Sequence, residues 1–310
     1  MLPPYIVVED FFDGAREMRS SFDQHFADPH QKRGPSQQVW DYWYVPGLYT
    51  YLRTDPTRVL PAGLVDSFVS TLRDWTTKRL GMSRISPPWL SLYVDGCGQD
   101  LHNDSGNGRW GFVYSLTEWD ERRFAGGETL ILRDSGYWET EMLTRPGAGL
   151  SFYDLVPARF NQLLIFDDRL LHAVPRIQGS MAPWEGRVVL HGHIREEGLA
   201  VQGPLSFEEV ERALAAALAR VRSTQAAMGD PYHGCACVRL IIDAGGSVRS
   251  ASTLSDRLYR TTTRVDEPVR LASDLAALLA QVRFPCAEGE STVIVPVTFG
   301  EWPAVYRSKS

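Results

Sequence analysis

The sequence predicts an all-β core with flanking helices, followed by a small α+β domain, and three observations carry that prediction. Short apolar runs of strand character crowd residues 89–196, with Gly, Pro, Asn and Asp clusters between them about every 10 to 25 residues. Before them, apolar residues recur three and four apart, the period of amphipathic helices. Beyond about residue 200 helical and strand segments alternate.

A chain of 310 residues is long enough for two domains of ordinary size, and the change of pattern divides it into 1–200 and 201–310. Hydrophobic content of 44% with 23% charged residues is that of a globular protein. A formal charge of −6, with no long run of Lys and Arg, argues against a nucleic-acid partner, which needs a basic face. The opening "MLPPYIVVEDFFDGAREM" lacks a basic stretch followed by a long apolar one, so it does not read as a secretory leader. No window approaches the roughly 18 apolar residues of a membrane span, so no membrane is expected. Cys97, Cys235, Cys237 and Cys286 are too few for a disulfide scaffold, which favours a reducing, cytoplasmic setting.

The first helices fall in "FFDGAREMRSSFDQHF" and "LPAGLVDSFVSTLRDWTTKRLGM". Between them "VWDYWYVPGLYTYLRTDP" is rich in aromatic residues and broken by Pro and Gly. It suits a strand and loop lining a pocket, or plain core. The strand runs are "WLSLYVD", "WGFVYSLT", "GETLIL", "GAGLSFYD", "NQLLIFDD" and "RVVLHGHI". In "PLSFEEVERALAAALARVRSTQAAM", Ser206 with Glu209 three residues on forms a capping box before an Ala/Leu-faced helix. Two strands around Gly245-Gly246, a helix in "EPVRLASDLAALLAQVRFP" and a closing strand "STVIVPVTFG" complete an α-β-β-α-β unit.

The chemistry concentrates in "LHNDSGNGRWGFVYSLTEW". On an extended segment His102 and Asp104 point to one face and can reach one ion. A third ligand must come from a distant strand, and His172 directly follows the apolar run "NQLLIFDD". Two His and one carboxylate leave positions open, as an Fe(II) that also binds a cosubstrate and O2 requires. Zinc competes for the same ligands and prefers a closed tetrahedral site. His25, His30 and His233 read as surface or structural.

The order of these segments resembles the Fe(II)/2-oxoglutarate dioxygenases of the prolyl-hydroxylase type over about residues 85–196. The carriers are the His-x-Asp pair, the "GGETL" segment after a Trp-Asp loop, the 161–166 strand and the trailing Arg187. The resemblance implies a double-stranded β-helix (jelly roll) and iron ligation by His102, Asp104 and His172. It further implies that Arg187 holds the distal carboxylate of 2-oxoglutarate, as a bidentate guanidinium does well. Tyr93 matches a family tyrosine that contacts the same cosubstrate, and Tyr114 and His191 are placed on neighbouring strands lining the site. The implied reaction is hydroxylation of an unactivated C–H bond of a peptidyl residue or small metabolite, with release of succinate and CO2. The presence of Asp104 disfavours a halogenase, which leaves that position for halide.

One departure from the family is the interval from His172 to Arg187, fifteen residues, longer than usual because of "IQGSMAPWEG". The strand register is expected to survive this insertion; Arg176 and Arg195 are the fallback anchors. Residues 204–300 are similar to the C-terminal domain of TonB-like and gliding-motility-associated proteins, on Gly246, Val248, Phe284, Pro285 and Phe299. That similarity implies a protein partner for this domain. Cys235, Cys237 and Cys286 lack a matching fourth ligand and read as structural or free thiols rather than a metal or redox site. The rival to an oxygenase is an inert β-barrel binding protein that acts through its C-terminal domain.

Overall fold

The structure, a computed structural model, describes residues 5–27, 39–104, 107–132, 153–227, 232–260 and 271–299. The chain opens with β1 (Tyr5–Val8), α1 (Ala15–Phe26), β2 (Asp41–Val45), β3 (Tyr49–Thr54) and α2 (Ala62–Leu80). Nine strands follow: β4 (Arg84–Ile85), β5 (Trp89–Tyr93), β6 (Gly98–His102), β7 (Trp110–Ser115), β8 (Thr129–Leu132), β9 (Tyr153–Val156), β10 (Leu163–Asp167), β11 (His172–Val174) and β12 (Arg187–Arg195). The remainder is β13 (Ala200–Gln202), α3 (Phe207–Ala227), β14 (Tyr232–Ile242), β15 (Val248–Arg260), α4 (Leu271–Leu279) and β16 (Ser291–Phe299). Most of the expected strand "GAGLSFYD" lies outside the described residues, as do His30 and the side chain of His233.

Backbone contacts divide the chain into two units, one of residues 3–72 and 85–194, the other of 73–84 and 195–310. The segment 73–84 thus goes with the second unit, although the sequence pattern placed it in the first.

In the first unit the strands follow the path β1-β10-β7-β12-β5-β3-β6-β11-β8-β9, with β2 beside β3 and β4 beside β12. Within this path the eight strands β5 to β12 fall into two antiparallel sets, β10-β7-β12-β5 and β6-β11-β8-β9. That is the jelly-roll order, two four-stranded sheets wound from paired strands. β3 pairs with both β5 and β6 and so joins the sets into one curled sheet.

The two faces of this sheet have different tasks. Phe112 and Tyr114 on β7 pair with Ile165 and Leu163 on β10, and Tyr114 also with Leu190 on β12. This face packs on the helical layer: Phe68 of α2 lies 4.6 Å from Tyr114 and 6.5 Å from Phe112, ring to ring, and 5.8 Å from Phe12. Each such buried ring contributes about 1.5–3 kcal/mol from apolar burial. Residues of opposite parity, including Gly111 and Val113 on β7 and Val189, His191 and His193 on β12, line a cavity. Both faces of β7 and β10 are buried, so their sequences run apolar without alternation, whereas β12 carries His191 and His193 on its cavity face.

The second unit holds a four-stranded antiparallel sheet in the order β13-β16-β14-β15. Val210 and Leu214 of α3 and Leu275 and Leu279 of α4 form one core with Val238, Leu240, Val293 and Val295 of the sheet. The capping box forms as expected: Ser206 N–H donates to Glu209 Oε2 at 2.9 Å and Glu209 N–H to Ser206 Oγ at 3.3 Å. Gly246 takes φ of +78° in the β14–β15 turn, where a Cβ would lie 2.0 Å from the Phe284 carbonyl oxygen. The short edge strand β13 has no counterpart in the sequence reading.

Candidate metal centre and its cavity

His102 ends β6 and His172 begins β11, and the two are ladder partners. Gln99 pairs with Val174, so three steps along β6 match two along β11. The extra residue is a bulge, which re-aims the side chains beyond it and turns His102 rather than Leu101 to the cavity. Asp104 lies past the strand end. Its position is fixed by its backbone N–H, which donates to the Asp168 carbonyl oxygen at 2.9 Å.

His172 Nε2 is 3.4 Å and His102 Nε2 3.9 Å from Asp104 Oδ2, and the three candidate ligand atoms lie within 4.8 Å of one another. His102 Nδ1 sits 2.7 Å from the Asp100 carbonyl oxygen, and His172 Nδ1 2.9 Å from that of Leu170. A carbonyl oxygen only accepts, so Nδ1 carries a proton in both rings and Nε2 is the ring atom turned to Asp104. Outer hydrogen bonds of this kind set the tautomer of metal-binding histidines. Burial, and then the ring of His172, lower the pKa of His102 and keep it neutral. Burial alone would raise the Asp104 carboxyl; the hydrogen bond and charge of His172, with His193 and His102, hold it well below the usual carboxylate range. A neutral His102 and an ionised Asp104 are the protonation states that metal ligands need.

Asp168 and His193, which the sequence reading passed over, extend this cluster. His193 Nδ1 is hydrogen-bonded to the fully buried Asp168 carboxylate at 3.0 Å. Asp104, Asp168 and His193 form a second group with ligand atoms within 4.8 Å. Burial pushes the Asp168 pKa up to about 6, against the pull of His193. The signal in the sequence was the pair of acids closing "NQLLIFDD".

Arg187 opens β12 opposite Tyr93, so the inserted residues leave the register intact. It is 1% exposed, its guanidinium carbon lies 4.7 Å from the Tyr93 ring centroid, and Nη2 donates to Thr129 Oγ1 at 3.3 Å. Its Nε has no hydrogen-bond partner, and among the described residues no carboxylate forms an ion pair with it. A buried guanidinium left this way is costly unless an anion from outside completes it. Thr129 is delivered by the "GG" turn: Gly126 has φ of +78°, and a Cβ there would lie 2.4 Å from the Arg176 carbonyl oxygen.

These groups share one cavity of about 550 Å³, within the range of small-molecule sites. It is lined by His102, Asp104, His172, Arg187, Tyr93 and His191 among others. His191 Nε2 is 2.8 Å from Ser91 Oγ, and burial lowers its pKa to about 3. The aromatic segment 39–56 does line the pocket: Tyr51 stacks on Tyr93 at 5.0 Å and Tyr49 meets the His102 ring edge-on at 4.9 Å.

Tyr114 is not brought there. It stands on the other face of β7, donates to Asn161 Oδ1 at 2.8 Å and packs on Phe68, so its expected place in the site is corrected. Arg176 also lies outside this cavity; its Nη1 donates to the Gly96 carbonyl oxygen at 3.1 Å. Arg195 closes β12 and does not line it either. No disulfide joins the cysteines among the described residues; Cys235 and Cys237 have sulfurs 3.9 Å apart, and no described metal-type cluster includes them.

No protein-family model matches the chain, and no curated protein matches it. Among solved structures, a prolyl-4-hydroxylase from Pseudomonas putida is 15% identical and covers 63% of this chain and 93% of its own, with a TM-score of 0.44. A prolyl hydroxylase from Trichoplax adhaerens, solved with a hypoxia-inducible-factor peptide fragment, is 16% identical over 61% of this chain and 81% of its own, TM-score 0.40. The non-heme α-ketoglutarate-dependent epimerase SnoN of nogalamycin biosynthesis is 14% identical over 61% and 76%, TM-score 0.41. Likenesses this distant fix neither activity nor substrate. None of the comparisons supports the similarity of residues 204–300 to TonB-like and gliding-motility domains. Among the described residues no helix is long and apolar enough to cross a membrane.

Proposed function

We propose that this chain is an Fe(II)/2-oxoglutarate-dependent oxygenase acting on a C–H bond of a small molecule or peptidyl residue. One observation carries the reading: a His102–Asp104–His172 triad shares a cavity with a fully buried guanidinium that forms no ion pair with any described carboxylate and whose Nε has no hydrogen-bond partner. His102 and His172 would ligate through Nε2, each ring held by its Nδ1 bond, and Asp104 through its carboxylate. The donor set of two imidazoles and one carboxylate is that of non-heme Fe(II) oxygenases, with positions left for other ligands. When bound, the iron supplies the activation of O2 that is coupled to oxidative decarboxylation of 2-oxoglutarate.

The chain's own residues do the rest. Arg187 would pair its free edge with the distal carboxylate of the cosubstrate, while Thr129 and Tyr93 fix the guanidinium from two sides. Tyr49, Tyr51 and Phe166 wall the metal site with rings and keep water out. His191, neutral and tied to Ser91, adds a polar contact without adding charge. The test is succinate release from 2-oxoglutarate in air with Fe(II), over pools of peptides and small metabolites. Wild-type protein should give release that rises with one pool, and Asp104→Ala should give none. Equal release from the two proteins would reject the proposal.

A further inference from the structure

A second cation on the cavity wall is not used by the chemistry above. Arg53, half-buried on β3, lies between an indole from each neighbouring strand: its guanidinium carbon is 3.5 Å from the centroid of Trp43 on β2 and 4.3 Å from that of Trp89 on β5. β2 and β5 flank β3 on opposite sides, so one ring stands at each flank of the guanidinium. Rings over the planar group hold it by cation–π attraction without using its in-plane N–H groups. The Tyr51 hydroxyl lies within hydrogen-bonding reach of the guanidinium, and the remaining in-plane N–H groups can donate to a ligand.

Among the described residues no acid takes these N–H groups. Asp41, the cross-strand partner of Arg53, makes no ion pair with it, and neither does Asp55, whose Oδ1 accepts from Thr57 N at 2.8 Å and Oγ1 at 2.6 Å. Arg53 nevertheless lines the same cavity as the metal cluster. In the ladder, Arg53 faces Ser91 and Arg187 faces Tyr93, which puts the two arginines on strands either side of β5 and one inward-facing row apart. Strand spacing and rise place their Cα atoms about 12 Å apart. One short dicarboxylate held at Arg187 therefore leaves Arg53 for another ligand.

We propose that Arg53 is the anchor for a carboxylate on the primary substrate, which makes the substrate an organic acid whose carboxylate lies between the two indoles. Calling this ligand the substrate rests on the oxygenase reading; the anion site itself does not. Three matched pairs serve as probes of the full chain in ligand-observed NMR titrations: phenylpropionate, indoleacetate and N-acetylproline, each against its primary amide. Titrations are run with and without saturating 2-oxoglutarate. Wild-type protein should bind at least one acid about tenfold more tightly than its amide, as a charge-assisted bidentate contact requires. That preference should fall below about twofold in Arg53→Met and stay in Arg187→Met. Arg53→Gln is the second variant, should the Met variant fail to fold. Equal binding within every pair, or a preference that survives loss of Arg53, would overturn the proposal. Failure of the oxygenase reading shows separately, as a protein whose Fe(II) form ignores 2-oxoglutarate while the acid preference stands.

Discussion

His102 and His172 are direct partners across the β6–β11 ladder, their ring centroids 4.3 Å apart, each with Nδ1 turned to a backbone carbonyl two residues earlier in the chain. The pair thus has its tautomers and ring planes set by the backbone before any ion arrives. What the backbone cannot set is occupancy, and the first prediction concerns that.

Fe(II) added without oxygen should stabilise the protein, because the folded chain alone assembles the three ligands. At a hundredfold excess over Kd the gain is about 2.7 kcal/mol. For a unit of this size it raises the Tm by about 5 to 10 °C. Asp104→Ala should lose the shift, measured by anaerobic differential scanning fluorimetry, while its Tm without metal stays close to that of the wild type.

Arg187→Met should have two opposite effects. It removes a buried charge that forms no ion pair with any described carboxylate, so the ligand-free protein should gain about 1–2 kcal/mol in stability. It also removes the proposed anchor, so 2-oxoglutarate should bind at least about a hundredfold more weakly by calorimetry, in line with loss of a buried charge pair. Arg176→Met, at a side chain that donates to the Gly96 carbonyl outside the cavity, should change the 2-oxoglutarate affinity little. Alike behaviour of the two variants would remove Arg187 from the site.

Tyr114 and Tyr93 stand on different strands, and only Tyr93 lines the cavity. Tyr114→Phe deletes a hydroxyl that donates to Asn161 and should cost about 1 kcal/mol of stability by urea denaturation, with 2-oxoglutarate affinity unchanged. Tyr93→Phe should weaken 2-oxoglutarate binding by about three- to tenfold, the worth of one hydrogen bond. The reverse pattern would show that the faces have been exchanged.

His191 gives the pH dependence of stability its sign. Burial, with His193 and Arg187 beside it, lowers its pKa from 6.5 to about 3. As pH falls below 6.5 the unfolded chain takes up a proton that the folded chain refuses until about pH 3, so stability is lost across that window. The contribution to the slope is at most about 1.4 kcal/mol per pH unit. Denaturant titrations of His191→Gln should show a shallower decline between pH 6 and 4 than the wild type, to within about that limit.

The candidate metal triad can be read from spacing without knowing the ladder: two side chains two apart, and a third just beyond an apolar run. The stated reason was only half right. His102 and Asp104 do not lie on one extended segment, since β6 stops at His102 and a bulge between Gln99 and His102 sets which face it takes. A bulge is a slip in hydrogen bonding and leaves no trace in hydropathy. Tyr114 went astray because β7 is buried on both faces, which removes the alternation that would have told cavity from core. Arg187 was readable from its place at the start of a strand, whereas Arg53 gains its meaning only from neighbours on two other strands. The three residues of β13 were too few to give a pattern at all.

The central claim is that the triad and Arg187 together hold iron and 2-oxoglutarate in one cavity. Anaerobic absorption spectra taken as 2-oxoglutarate is added to the Fe(II)-loaded protein test it most directly. The account predicts a visible charge-transfer band that saturates at one equivalent, disappears in Asp104→Ala, and in Arg187→Met forms only at far higher 2-oxoglutarate. A wild-type protein that binds both components and gives no band would contradict it.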